Sequence, residues 1–253
     1  MLQRLGIVFM LVLFCACATK KEILYLQDID TQKEAAISYS NPTLQPNDVL
    51  RIDVGALNPE SAIPYNLPTN NNQGGGNVQF LQLQGYLVSP DYTINFPVLG
   101  EISVAQLTTP ELERHLKQRL EDENHLIAPS VNVRLLNAKV TVLGEVNAPG
   151  TYSFTEQNIT LLQALGYAGD LTINGVREDV VVMRDEKGVK QITHIDLTTS
   201  DWMNGPYYFV RPNDVIVVNQ NNPKVKTAGY IGNIGTLLSV VTITLTLTLL
   251  LTR

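Results

Sequence analysis

Apolar and polar positions alternate in short runs along most of the chain. After the turn Leu44-Gln-Pro-Asn-Asp48, the stretch Val49-Leu-Arg-Ile-Asp-Val54 alternates like a half-buried strand. Strand patterns recur at Phe80 to Leu87 and Tyr92 to Val98. Between them, the Asn/Gly-rich residues Asn66 to Asn77 read as a loop rather than a phosphate cradle, because no Lys-Ser/Thr follows the glycines. Thr108 or Thr109 can cap a helix that has Pro110 in its first turn and Glu111 at its positive end. Leu112, Leu116 and Leu120 put one face of that helix inward, and Pro129 bounds it. Ser130 to Leu135 follows as a strand with Val131, Val133 and Leu135 on one side.

A second unit begins near Ala138. It opens with a strand at Lys139 to Leu143 and a tight turn shaped by Gly144, Pro149 and Gly150, then a strand from Thr151 to Phe154. Asn158 or Thr160 caps a short helix that Gly169 stops. Strands follow at Asp179 to Arg184, Gln191 to Leu197, Tyr207 to Val210 and Asp214 to Val218. Strands joined by turns, with few helices between them, predict an α+β architecture of two small mixed α/β domains rather than an alternating parallel sheet.

Both ends depart from this pattern. Arg4, the apolar run Leu5 to Phe14 and the small residues Ala16 and Ala18 read as a secretory signal, too short to span a bilayer. Cys17 after Ala16 is the expected lipidated residue; an ordinary signal with two incidental cysteines is the alternative. Acyl chains contribute about 0.8 kcal/mol per buried methylene, so several hold where one is marginal. No Asp follows Cys17, which in similar lipoproteins favours the outer membrane. At the other end, Ile231 to Leu251 carries no charge, and its length predicts a transmembrane helix across ~30 Å of hydrocarbon. A lone strand there would leave its backbone groups unpaired in lipid. On a helix, Gly232, Gly235, Ser239, Thr242 and Thr246 form a stripe of small and polar residues, a candidate lumen or helix-contact face. A simple tail anchor is the alternative. The expected divisions are residues 1–16 signal, 17–43 lipidated tether, 44–137 first domain, 138–220 second domain and 221–253 linker and helix.

Charge and chemistry narrow the function. The net charge is −6, and losing Arg4 with the signal takes it to about −7, which speaks against nucleic acid as a partner. With Cys15 cleaved away and Cys17 acylated, no thiol is left for a disulfide, a metal or catalysis. His115, His125 and His194 lack metal-ligand spacing, and no nucleophile elbow, P-loop or zinc-protease motif occurs. Asp91, Glu101, Asp179, Asp185, Glu186, Asp196 and Asp201 could include a glycosidase pair, but nothing singles out two of them. No catalytic residue, metal or cofactor is expected, and an enzyme is not the reading.

Three ordered stretches carry a family resemblance. Leu44 to Val54 followed by Leu87-Val-Ser-Pro-Asp-Tyr-Thr-Ile-Asn-Phe-Pro-Val-Leu-Gly-Glu-Ile102 resembles the polysaccharide export sequence domain. Val142-Leu-Gly-Glu-Val-Asn-Ala-Pro-Gly-Thr-Tyr152, with Leu161 to Gly169 and Val210-Arg-Pro-Asn-Asp-Val-Ile-Val217, resembles a soluble-ligand-binding β-grasp (SLBB) domain. Together they are similar to the Wza-like outer-membrane polysaccharide exporters. The resemblance implies a homo-oligomeric ring, with eight copies as one size for it, whose C-terminal helices form a barrel in the outer membrane. Most of each chain would lie in the periplasm. The ring would pass capsular or extracellular polysaccharide received from an inner-membrane polysaccharide co-polymerase, with membrane lipid holding the anchor. Asp170 stands where a second Gly is common in the family, and one β-grasp repeat where longer members have more implies a shorter barrel. The competing reading is a non-channel envelope lipoprotein, a scaffold or glycan-binding module.

Overall fold

A computed structural model describes residues 23–31, 39, 41–67, 84–186, 188–222 and 234–251. The first domain is built on β1 (Val49–Gly55), which lies between β2 (Tyr86–Leu87) and β5 (Ser130–Leu135), antiparallel to both. β1 begins where the Pro-Asn-Asp turn ends. Asn47 takes φ 71°, and the Gln45 N–H donates to Asp48 Oδ2 at 2.8 Å, so the carboxylate closes the turn. Of the strand expected from Phe80, residues 80–83 lie outside the described set. The strand expected at Tyr92 is β3 (Thr93–Phe96), which pairs antiparallel with β4 (Gly100–Ser103).

Helix α1 (Thr109–Asp122) covers this sheet. Thr108 is its cap, since the Glu111 carboxylate reaches back to accept from the Thr108 N–H at 2.9 Å and hydroxyl at 2.8 Å. Those bonds hold the Glu111 carboxyl below its ordinary value. Leu112, Leu116 and Leu120 are fully buried against Ile52, Ile94, Phe96 and Val133. Each such leucine contributes about 1.5–3 kcal/mol through burial.

The second domain holds a five-stranded sheet in the order β10 (Val189–Ile195), β9 (Gly175–Glu186), β12 (Val215–Gln220), β6 (Lys139–Gly144), β7 (Gly150–Ser153). Only the β12–β6 pair is parallel. Two-residue strands β8 (Ile159–Thr160) and β11 (Phe209–Val210) pair beside it. Helix α2 (Leu161–Tyr167) starts at a Thr160–Gln163 capping box and ends before Gly169, whose φ is 71°. Its Leu161, Ala164 and Leu165 pack into a core with Val140, Val142, Val180, Val182, Ile216 and Val218.

The segment expected to be a free tether is partly folded onto this core. The Leu26 and Gln27 N–H groups donate to the Leu197 and Thr198 carbonyls at 3.0 and 2.7 Å. The Tyr25 hydroxyl donates to Asp170 Oδ1 at 2.5 Å, and its ring lies 5.1 Å from the buried Arg177 guanidinium. Residues 23–28 therefore form a strap across the second domain.

At the C-terminus, α3 (Ile234–Leu251) is an 18-residue helix without charge. Its length is about 27 Å at 1.5 Å per residue. Among the described residues no helix is long and apolar enough to cross a membrane. The α+β architecture stands, whereas the C-terminal transmembrane helix is not found as such. The helix starts three residues later than the apolar run, which leaves it shorter than ~30 Å of hydrocarbon.

Candidate functional site

Two turns of identical Pro-Asn-Asp-Val sequence begin β1 and β12, and they differ in what faces their carboxylates. In the second, Asn213 takes φ 68° and the Arg211 N–H donates to Asp214 Oδ2 at 2.9 Å. The Arg184 guanidinium then forks onto Asp214, with Nε 3.0 Å from Oδ1 and Nη2 2.7 Å from Oδ2. Its remaining donors reach the Pro206 and Phe209 carbonyls at 3.0 and 2.9 Å, and Cζ lies 4.5 Å from the Tyr207 ring centre. Burial pushes the Asp214 carboxyl up, and the guanidinium opposes that shift. Asp48 in the first turn is 4% exposed and has the Gln45 N–H without an ion pair among the described residues. Burial pushes its carboxyl up to about 6, and only that hydrogen bond opposes the shift.

Asp48 lines a cavity of about 530 Å³ between the two domains. The lining carries five carboxylates (Asp48, Glu113, Glu156, Asp185, Glu186) against two guanidiniums (Arg134, Arg211). Several are engaged locally: Glu113 accepts from the Val133 N–H at 2.8 Å, and Arg211 pairs with Glu186 at 3.1 Å. The acidic balance would repel an anionic chain.

The expected stripe is partly visible. Cys17 and Gly232 lie outside the described residues. On α3 the Ser239 hydroxyl donates to the Gly235 carbonyl at 2.8 Å, Thr242 to Leu238 at 2.7 Å and Thr246 to Thr242 at 2.7 Å. Thr244 and Thr248 make the same i−4 bond at 2.9 Å, about 180° around the helix from that stripe. Each of these hydroxyls spends its one donor on the helix's own backbone, so none needs water or a neighbour to be satisfied.

In the expected turn, the glycine requirement falls on Gly144. Its φ is 91°, and a Cβ there would sit 2.0 Å from the Val218 carbonyl oxygen of the parallel partner strand. A Cβ on Gly150 would meet only ordinary contact with the Tyr152 ring, so that position tolerates a side chain. The Tyr152 hydroxyl donates to the Ala148 carbonyl, next to Pro149.

Four of the seven carboxylates weighed as a glycosidase pair are taken up by local contacts. Asp179 meets His194 at 2.5 Å, Asp185 meets Lys190 at 3.0 Å, Glu186 meets Arg211, and Asp196 caps the Thr198 N–H. His125 lies 3.3 Å from Glu123, far along the chain from His194. No group of three metal-ligating side chains occurs among the described residues. Sequence reasoning missed the Arg184–Asp214 pair, although the repeated Pro-Asn-Asp-Val was a readable signal for two equivalent turns.

Comparison with known proteins joins these observations. Residues 37–136 match the family model for polysaccharide biosynthesis/export proteins, and residues 139–193 match the SLBB domain model. The chain is similar to the EPS I polysaccharide export outer membrane protein EpsA of Ralstonia nicotianae, 36% identical over 118 residues. That stretch covers 44% of this chain and 29% of the relative. The same-named protein of Ralstonia solanacearum is 34% identical over 110 residues, covering 42% of this chain and 28% of the relative. The matched stretch thus spans under a third of either relative. An export-domain match followed directly by an SLBB match, each overlapping one of the two cores, makes the chain similar to the Wza-like polysaccharide export proteins.

Proposed function

We propose that this chain is an outer-membrane lipoprotein, acylated at Cys17, that assembles as a homo-oligomeric ring and passes capsular or extracellular polysaccharide across the outer membrane. The relatives' names, polysaccharide export outer membrane protein, support the compartment and the cargo. The role is transport rather than catalysis: the ring moves a hydrated glycan, and no bond is made or broken. An inner-membrane polysaccharide co-polymerase is the partner that would deliver the chain to the first domain.

The observation that carries the reading is α3: 18 uncharged residues following the SLBB domain, with the described hydroxyls folded back on the helix backbone. Such a helix can enter hydrocarbon without orphaned donors. At about 27 Å it falls short of the ~30 Å average hydrocarbon thickness, a shortfall that the thinner bacterial outer membrane reduces. One helix encloses nothing, so a conduit requires several side by side. The small stripe at Gly235, Ser239, Thr242 and Thr246 lets neighbouring helices approach closely.

The strap supports the same placement. Five residues lie between Cys17 and Ile23, six steps along the chain with a reach of about 20 Å fully extended. The strap and α3 both connect to the second domain, which supports a reading with that domain beside the membrane and the first domain toward the periplasm. The acidic groove favours passage of acidic glycans over their retention.

The test replaces Ser239 and Thr242 together with Leu in a strain that depends on this protein. Surface polysaccharide is expected to fall several-fold while acylation and protein level stay unchanged. Unchanged export would overturn the conduit and favour a helix that only anchors a scaffold.

A further inference from the structure

The twin turns before β1 and β12 share one geometry, but only the second carboxylate has a cation. Asn47 and Asn213 take φ 71° and 68°, and the Gln45 and Arg211 N–H groups donate to Asp48 Oδ2 and Asp214 Oδ2 at 2.8 and 2.9 Å. Both aspartates are buried, at 4% and 1% exposed. Asp214 receives the Arg184 guanidinium on both oxygens. Asp48 Oδ1 accepts no hydrogen bond among the described residues, and its carboxylate has no ion pair there. A carboxylate taken out of water is costly until a cation joins it, so the first turn is built like the second with its countercharge left to come from elsewhere.

Asp48 faces the cavity of about 530 Å³ between the domains. That size lies within the roughly 300–1,000 Å³ of small-molecule sites, which favour domain interfaces. Leu135, Ala138 and Phe154 give the cavity an apolar wall. Of its five carboxylates, Glu186 is taken by Arg211 at 3.1 Å and Asp185 by Lys190 at 3.0 Å. Asp48, Glu113 and Glu156 then stand against Arg134, three negative charges to one positive, an excess of two. Glu113 and Glu156 each spend one oxygen on a backbone N–H, of Val133 at 2.8 Å and of Thr155 at 3.0 Å, and keep the other open. Such a lining excludes an anion, and a neutral ligand would leave Asp48 without a countercharge. No three metal-ligating side chains come together among the described residues, which turns the site from a metal ion toward an organic cation. A single open oxygen on Asp48 suits the compact ammonium better than the planar fork of a guanidinium.

We propose that this cavity binds a small aliphatic diamine or polyamine, with one ammonium on Asp48, a second toward Glu113 and Glu156, and its methylenes along the Leu135, Ala138 and Phe154 wall. The ligand gives the first turn the cation that Arg184 gives the second. Asp48 and Glu113 belong to the first domain and Glu156 and Phe154 to the second, so occupation ties the two domains together. Burial pushes the Asp48 carboxyl up to about 6, and an ammonium beside it favours the charged form. Binding therefore expels a proton below that pH and tightens as pH rises through it.

The test is calorimetric titration of the full chain in an uncharged detergent, with putrescine and spermidine as probes and N-acetylglucosamine and glucuronate beside them. One amine is expected to bind per chain, saturably, and neither the neutral sugar nor the anion. Affinity should rise about tenfold between pH 5 and pH 7, the span in which a carboxyl near 6 loses its proton. Asp48→Asn should weaken binding at least about thirtyfold, as for truncating one partner of a buried charge pair. Glu113→Gln, which keeps an oxygen for the Val133 N–H, should weaken it at least about fivefold. Glu60→Gln removes the same charge from the exposed surface outside the cavity and should stay within about twofold. No saturable amine binding, binding that both cavity variants leave unchanged, or an equal loss in all three variants overturns the site. Each of those results leaves the export reading standing, since the conduit does not depend on this cavity.

Discussion

Asp48→Asn isolates the cost of a buried carboxylate that lacks the cation its twin enjoys. The folded-state value of about 6 lies above the value of about 3.9 for an unfolded aspartate. The folded protein therefore holds this proton more tightly. Its contribution to stability is fully present below pH 4 and is lost as pH rises through 6. Two units correspond to about 3 kcal/mol at pH 7.5 and to about 0.5 kcal/mol at pH 4. Asparagine keeps an oxygen for the Gln45 N–H and carries no charge, so it removes that pH-dependent loss. Urea unfolding of the full chain in detergent at both pH values gives the comparison. The variant is expected to gain on wild type by about 2 kcal/mol between pH 4 and pH 7.5. A difference that stays flat with pH, or an asparagine that destabilises more at pH 7.5, would refute the assignment of Asp48 as a buried, uncompensated acid.

Arg184→Met should destabilise the second domain by about 3–5 kcal/mol, because Asp214 is left buried and charged; the double variant Arg184→Met/Asp214→Leu should recover most of that loss in the same urea assay. Gly144→Ala should cost more than about 2 kcal/mol, since both the positive φ and the Val218 carbonyl oppose a Cβ, whereas Gly150→Ala should stay within about 1 kcal/mol by thermal unfolding. Tyr86→Phe should be neutral or stabilising by up to about 1 kcal/mol, because the Tyr86 hydroxyl is buried without a partner among the described residues; a clear loss would show that it is satisfied.

What the sequence made legible follows from how local each signal is. Val49 to Val54, Thr108 with Glu111, and the 112/116/120 leucines each announce themselves within one element, and the structure has them as read. The hairpin partner Gly100–Ser103 escaped because Ile102 alone of its four residues is buried, too little for a period-two pattern. The strap escaped because its holds are remote: Tyr25 and Asp170 are 145 residues apart, and nothing around Tyr25 signals a docking site. Arg184, in the run Met183-Arg-Asp-Glu186, reads as a solvated charge; its burial becomes sensible only once β9 lies beside β12 and meets Asp214. On α3 the spacing gave the stripe, but spacing cannot tell whether a hydroxyl faces water or bonds its own helix, and the structure has the described ones doing the latter.

The central claim is that several copies set their C-terminal helices side by side around an opening, and an image of the intact protein tests it most directly. The purified full chain, extracted in mild detergent, is weighed by light scattering and imaged as single particles. The account predicts a closed ring of many copies with a helical collar around a central hole at the membrane end. Particles holding one copy, or rings whose C-terminal segments lie splayed outside any common wall, would contradict it.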